Sequence, residues 1–294
     1  MNTILKDKIR EYAKLTEEEL RSVFERGLCG DTGLRTASEY SVLGGGKRIR
    51  AFLLLEFCSS FGGDVRAALP FAAAIEMIHA FSLVHDDMPC MDNDDMRRGK
   101  PSTHKAFGEA EALLCGDELF CLAFEVAASN EFVSAETKCR VINEFAKGAG
   151  ALGMAGGQHY DLCELPSDYE ELKRLHRMKT GALITASCIN GYYTSCPESD
   201  ETVCADIRSF AYDLGLAFQI IDDILDVTSN PETLGKPIGS DKEQGKITSL
   251  SFMSIDDARN EATKLTKQAK SAISKYNGTK TLCEFADYLL ERIY

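Results

Sequence analysis

The stretch LVHDDMPCMDNDDMRRGKP, residues 83–101, sets five aspartates beside two adjacent arginines in an otherwise apolar part of the chain. A second acidic stretch, DDILD, begins at Asp222. Asp222 and Asp226 are four residues apart and Gln219 precedes Asp222 by three, so the three share one helical stripe. Their neighbours in LGLAFQIIDDILDV are nearly all apolar. A helix apolar on most sides is buried, and its polar stripe must face something other than bulk water. Carboxylates buried together repel one another and resist ionisation; a divalent cation relieves both penalties. Oxygen-only donors, with no clustered cysteine or histidine, suit Mg²⁺, or alternatively Mn²⁺, rather than Zn²⁺. Mg²⁺ uses few carboxylates and completes its shell with waters and phosphates, so two facing clusters would hold metal ions and a polyphosphate between them. Taken singly, each cluster reads equally well as a solvated charged face or a polar loop. A calcium loop is disfavoured: DNDDMRRGKPST lacks the glycine at position 6 and the glutamate at position 12.

The cations that a polyphosphate needs lie close by in sequence. Arg97 and Arg98 follow the first cluster, with Lys100 two residues further on. A guanidinium fork matches phosphate oxygens in pairs, although these arginines could simply neutralise the neighbouring aspartates. GGGKRIR brings Lys47, Arg48 and Arg50 to what reads as the start of a helix, after glycines that let backbone approach an anion. It is not a Walker motif. RMKTGAL adds Lys179, and LGKPIGSDKEQGK adds Lys236 and Lys246. His79 lies seven residues before Asp86, two turns along the same face, while His85, His104, His159 and His176 take a structural reading.

Helices must position these groups. Apolar residues recur at three-to-four spacing over about 2–28, 48–60, 64–88, 104–128, 135–152, 168–191, 200–227, 256–276 and 279–293. No run alternates like a strand, and YNGT at 276–279 separates two helical stretches. Glycine- and proline-rich breaks fall at 44–47, 61–64, 165–168, 195–200 and 228–246. None resembles a domain linker, and no 20–50-residue repeat is visible. The expectation is a single all-α domain, 1–294, of about ten helices.

The bulk numbers exclude several classes. A formal charge of −13, with no basic stripe, argues against nucleic acid and anionic membrane surfaces. The longest strongly apolar run, Ala51–Leu55, is too short to span a bilayer, so no transmembrane segment is expected. The amphipathic, charged N-terminus is unlike a signal peptide. Eleven cysteines without a CxxC pair read as reduced thiols, from which a cytoplasmic location is expected.

GGGKRIR, EMIHAFSLVHDDMPCMDNDDMRRGKPSTH, GGQHYDL, MKTGAL and FQIIDDILD occur in that order. Together they resemble the trans-isoprenyl diphosphate synthases, most closely the bacterial farnesyl diphosphate synthase type, from Lys47 to the ADYLLERIY terminus. The resemblance implies a homodimer of all-helical subunits, each with a deep central cavity. It also implies head-to-tail condensation of an allylic diphosphate with isopentenyl diphosphate, releasing diphosphate. By position Asp86, Asp92 and Asp222 match the Mg²⁺ ligands, with Asp87, Asp223 and Asp226 supporting. Lys47, Arg50, His79 and Arg98 match the isopentenyl diphosphate site. Arg97, Lys179, Thr180, Gln219, Lys236 and Lys246 match the allylic side. The implied chemistry is ionisation of the allylic diphosphate, with the cation eased by the Lys179 carbonyl, Thr180 and Gln219, and proton loss to the departing diphosphate.

In this family the residues just upstream of the first cluster set product length. Phe81 lies five residues before Asp86, about 7.5 Å along a helix, and with the Pro89–Cys90 insertion it resembles the C15-producing type. Ser82, at i−4 from Asp86, is small, which keeps a C20 product open. Two departures stand out: Ala51 replaces a usual proline, and Thr248–Ser249 replaces a usual Tyr-Pro. A noncatalytic subunit of the same fold would be expected to lose an aspartate cluster or the arginine pair, and both are intact. A terpene cyclase would have no use for Lys47, Arg50 and His79.

Overall fold

A computed structural model describes residues 3–27, 30, 33–228 and 246–293. Helices α1 (Thr3–Glu25), α2 (Gly33–Val42), α3 (Ile49–Ser60) and α4 (Val65–Asp86) come first. A two-residue hairpin, β1 (Met96–Arg97) with β2 (Lys100–Pro101), then leads to α5 (Thr103–Phe107), α6 (Glu109–Ala128) and α7 (Ala135–Ala149). Next come α8 (Met154–Cys163), α9 (Tyr169–His176), a π-helical turn (Arg177–Gly181), α10 (Ala182–Ser195) and α11 (Glu201–Thr228). Helices α12 (Ile255–Ile273) and α13 (Lys280–Leu290) complete the bundle. The all-α expectation holds, and the differences are local. The run at 104–128 divides at Gly108, whose φ of 94° breaks the helix. Helices α2 and α8 escaped the periodicity reading because both are short and α8 carries two glycines among ten residues. The 168–191 run is continuous but swells into the π turn at Arg177–Gly181, a distortion frequent at functional sites.

α4 is the central element, packed against α3, α6, α1 and α10. Most of its residues from Ala68 to Ile78 are fully buried. By length and composition this helix could cross a membrane, which the run-length reading overlooked, but 67% of its most apolar window is buried inside the bundle. The apolar face, Phe71 included, therefore forms core with Phe52, Phe57 and Phe210, among others.

One buried ion pair fixes the loop before α3. Arg48, left-handed at φ 49°, extends a side chain that is 2% exposed to Glu76 of α4 (3.4 Å) and to the Val42 carbonyl (2.8 Å). The second Glu76 oxygen accepts the Ala51 backbone N–H at 3.1 Å. The departure at Ala51 thus has a physical use, because a proline there could not donate. Arg48 is structural, and its neighbours Lys47 and Arg50 are left for the site. Truncating Glu76 would orphan the Ala51 N–H and leave the buried Arg48 guanidinium only Glu17, at 3.5 Å, and the Val42 carbonyl, a defect that costs up to about 3–5 kcal/mol. Glu76→Ala is therefore expected to lower the urea midpoint sharply without changing the m-value; an unchanged midpoint would contradict this role for the pair.

Candidate active site

The first acidic cluster is made by a helix end and a turn. α4 ends at Asp86, and the chain then folds back so that the Asp92 N–H donates to the Asp86 carbonyl at 2.9 Å. Asn93, at φ 54°, completes the reversal by donating to the Met88 carbonyl. Asp86 and Asp92 are thereby neighbours although six residues apart. Burial raises the Asp86 carboxyl to about 6, with Lys179 opposing and Asp92 adding to the shift. Asp87 is 2% exposed and accepts from Arg97, whose Nε lies 2.9 and 3.1 Å from its two oxygens. Asp94 also approaches Arg97, at 3.4 Å. Arg97 is thus held within the cluster here, the neutralising role that the sequence left open. Asp92 pairs with Lys246 at 2.9 Å, which ties the segment after α11 to the end of α4.

The second cluster lies inside α11. Burial raises Asp222 to about 6, opposed chiefly by Arg292 and Lys47. Arg292 Nη1 stands 3.1 Å from Asp222 Oδ1. The sequence reading missed Arg292, because a lone arginine at the chain end carries no spacing signal. Asp223 points the other way: it is 4% exposed and accepts from the Ser249 backbone N–H at 2.8 Å and from Gln219 Nε2 at 3.4 Å. Its support is structural. As at Ala51, a residue standing where the family usually has proline donates its N–H to a buried carboxylate. Asp226, one turn beyond Asp222, is half-buried.

The cationic groups meet beside the first cluster. His79 is held neutral by burial and by the charges of Arg50, Arg98, Arg97 and Arg48. Arg50 is lowered to about 10 by burial, remains protonated, and its Nε is buried without a partner. Arg98, at φ 54°, lays its guanidinium against the glycine loop and donates to the Gly45 carbonyl. Gly46, at φ 134°, adopts a backbone that favours glycine, and a Cβ there would sit 2.9 Å from Arg98 Cζ. Burial and Arg292 lower the Lys47 ammonium. Arg98 and Lys47 hence connect the GGGK loop to both acidic clusters.

The allylic-side residues sit on the π turn. Lys179 Nζ pairs with Asp161 of α8 at 2.5 Å, and Thr180 donates to Gln219 Oε1 at 3.1 Å. α8 reaches them through Gly157, where a Cβ would lie 2.2 Å from the Lys179 nitrogen. Asp161 was within a quoted motif, GGQHYDL, yet only the fold reveals its partner. Lys236 lies outside the described residues.

Below Asp86 opens a cavity of about 420 Å³ whose lining includes Arg50, His79, Phe81, Ser82, Asp86, Gln158, Lys179 and Thr180. Both residues named for product length therefore line it. Phe81 packs against Phe120 of α6 with ring centroids 4.7 Å apart, and meets His85 edge-on. His85 is anchored to α6 through the Leu113 carbonyl at 3.1 Å. His104 and His176 are buried, in keeping with their structural reading, while His159 lines the cavity.

Among the described residues no three acidic, histidine or cysteine side chains converge on one point. Asp86, Asp92 and Asp222 hence do not form a single closed metal shell. The donor chemistry still fits Mg²⁺, which is held by one or two carboxylates and completed by phosphates and waters. Two carboxylates lifted to about 6 by desolvation are groups whose ionised form a divalent cation would favour.

Comparison with known proteins agrees with this geometry. Residues 31–284 match the polyprenyl synthetase family. The chain is 42% identical to a chloroplastic geranylgeranyl pyrophosphate synthase of Catharanthus roseus, over 88% of this chain and 74% of that protein. It is 39% identical to the farnesyl diphosphate synthase of Bacillus subtilis, over 95% of both. Among solved structures, a geranyltransferase of Helicobacter pylori complexed with magnesium and isoprenyl diphosphate superposes with a TM-score of 0.82. That pair shares 29% identity over 97% of this chain and 96% of the other. Family match, sequence identity along nearly the whole chain and backbone similarity coincide: the chain belongs to the polyprenyl synthetase family, as a trans-prenyltransferase with the all-α isoprenyl synthase fold.

Proposed function

We propose that the protein condenses isopentenyl diphosphate head-to-tail with dimethylallyl and geranyl diphosphates, in a Mg²⁺-dependent reaction that stops at farnesyl diphosphate. The observation that carries this reading is the cavity below Asp86, lined by the Asp86 carboxylate, the Arg50 guanidinium and the Lys179 ammonium together with Phe81, whose ring packs against Phe120. Asp86 and Asp92 on one side, and Asp222 on the other, would hold Mg²⁺, which supplies charge stabilisation to a leaving diphosphate. Lys179, oriented by Asp161, and Lys246 add positive charge on the allylic side. Arg50, Arg98, Lys47 and neutral His79 make up the second anion-binding wall. The apolar lining keeps water from an allylic cation. This reading carries with it a homodimer, for which exposed Leu113 and Leu114 on α6 offer apolar contact surface, and a cytoplasmic location. A C20 product is the second reading, favoured by small Ser82 in the cavity wall and by the Catharanthus relative's name.

Four outcomes are expected. Purified protein with isopentenyl and dimethylallyl diphosphates should give a C15 product by mass spectrometry, abolished by EDTA and restored by Mg²⁺. Asp86→Ala or Asp222→Ala should lower kcat by about 10² or more, the scale of losing electrostatic stabilisation, whereas near-intact turnover would sink the reading. Phe81→Ala should lengthen the product to C20 or beyond; a wild-type C20 product would keep the enzyme class and reject Phe81 as the stop. Asp161→Asn should raise KM for the allylic diphosphate several-fold and leave KM for isopentenyl diphosphate unchanged in steady-state assays, because it loosens Lys179 alone. Equal rises in both would show that Asp161 acts on the whole site.

A further inference from the structure

Gln158 is the outlier in the cavity wall. It is 8% exposed, it lines the cavity, and neither Oε1 nor Nε2 has a hydrogen-bond partner. A buried amide normally satisfies its polar atoms, and one that does not calls for an explanation. Local packing fixes the backbone at this position. Gly157, its neighbour, lies so close to Lys179 that a Cβ would meet the Lys179 nitrogen at 2.2 Å and its Cα at 2.6 Å. α8 is pressed against the π turn, and Gln158 is fixed beside Lys179 and Thr180. Its polar neighbours on the π turn are committed, Lys179 to Asp161 and Thr180 to Gln219, and the Gln219 amide serves both Thr180 and Asp223. Donors are abundant, since Arg50 and Lys179 line the same space. An uncharged acceptor without a partner is supplied by Gln158.

We propose that Gln158 is a further catalytic residue, whose side-chain carbonyl faces the allylic group and stabilises its positive charge as the carbon–oxygen bond breaks. This rests on the prenyl-transfer reading above. In that step the bonding electron pair leaves with the diphosphate, and the allylic carbon becomes cationic. The isopentenyl double bond then supplies the pair for the new carbon–carbon bond, and one proton is lost, so that diphosphate and a proton accompany the longer chain. An amide suits this place better than a carboxylate. Its oxygen carries enough negative charge to stabilise a cation in a dry cavity, and it is a poor nucleophile, so it does not capture the cation as an ester. In the resting state the same amide is unsatisfied, a stability defect kept for its value in the transition state.

The test uses two diphosphate ligands with Mg²⁺: one with an ammonium centre in place of the cationic carbon, and one neutral, non-ionising thiolodiphosphate of the same shape. Calorimetry on wild type, Gln158→Leu and Gln158→Glu reads both affinities. Gln158→Leu should weaken the ammonium ligand about tenfold, the scale of one lost polar contact, and leave the neutral ligand unchanged. It should lower kcat without raising KM. Its Tm should stay level or rise, because an unpartnered buried amide has been replaced by an apolar group. Gln158→Glu should hold or tighten the ammonium ligand. Equal loss of both ligands, no loss of either, weaker ammonium binding by Gln158→Glu, or a fall in Tm as the main effect of Gln158→Leu would overturn the proposal. Wild-type protein that binds neither ligand and joins no substrates would fail the prenyl-transfer reading itself, whereas wild-type condensation with no discrimination by Gln158→Leu would fail this inference alone.

Discussion

Carboxylates out of water at one end of a helical bundle are the constraint around which the site is built. Each costs free energy unless a cation stands close, and the fold supplies an ion pair at four of them. Arg97 covers Asp87, Lys246 covers Asp92, Lys179 covers Asp161 and Arg292 covers Asp222. These pairs join segments distant in sequence: Lys246 lies 154 residues from Asp92, and Arg292 lies 70 from Asp222. The acidic clusters therefore organise the chain as well as the chemistry. Asp86 and Asp222 are still raised to about 6, so internal cations offset the burial of negative charge only in part.

A second constraint is mechanical. The π turn at Arg177–Gly181 presents Lys179 and Thr180 to the cavity, and α8 locks it from the side through Gly157. Such close helix–helix contact is available only where one partner has no Cβ. Asp161 holds the Lys179 ammonium from the same helix, while Gln219 on α11 holds Thr180. Two helices thus fix two adjacent side chains of the π turn, the kind of support that a site depending on orientation needs.

The two departures from the family pattern follow one logic. At Ala51 and at Ser249 a backbone N–H takes the place of a proline nitrogen, and each donates to a buried carboxylate, Glu76 or Asp223. Loop stiffness from proline is exchanged for a hydrogen bond to a charged acceptor. The loops that carry Lys47 and Lys246 are in this way tied to α4 and α11.

Much of this was legible in the sequence by itself. Three-to-four periodicity announced the all-α bundle, because core helices must bury one face or more. The i, i+4 spacing of Asp222 and Asp226 placed both on one face, and residue type alone made the acidic clusters candidates for hard cations. What only the tertiary structure decided depends on contacts between distant segments. Sequence spacing could not show that Asp223 turns to Ser249 while Asp222 meets Arg292, since the two are adjacent and equally acidic. It could not separate Arg48, whose guanidinium is held by Glu76, Glu17 and the Val42 carbonyl, from Arg50, which lines the cavity. Helix α8 was invisible because its glycines weaken helix propensity, yet those glycines permit its approach to Lys179. Periodicity reports which residues are buried; which buried group meets which is settled by the packing of whole helices, and no local pattern encodes it.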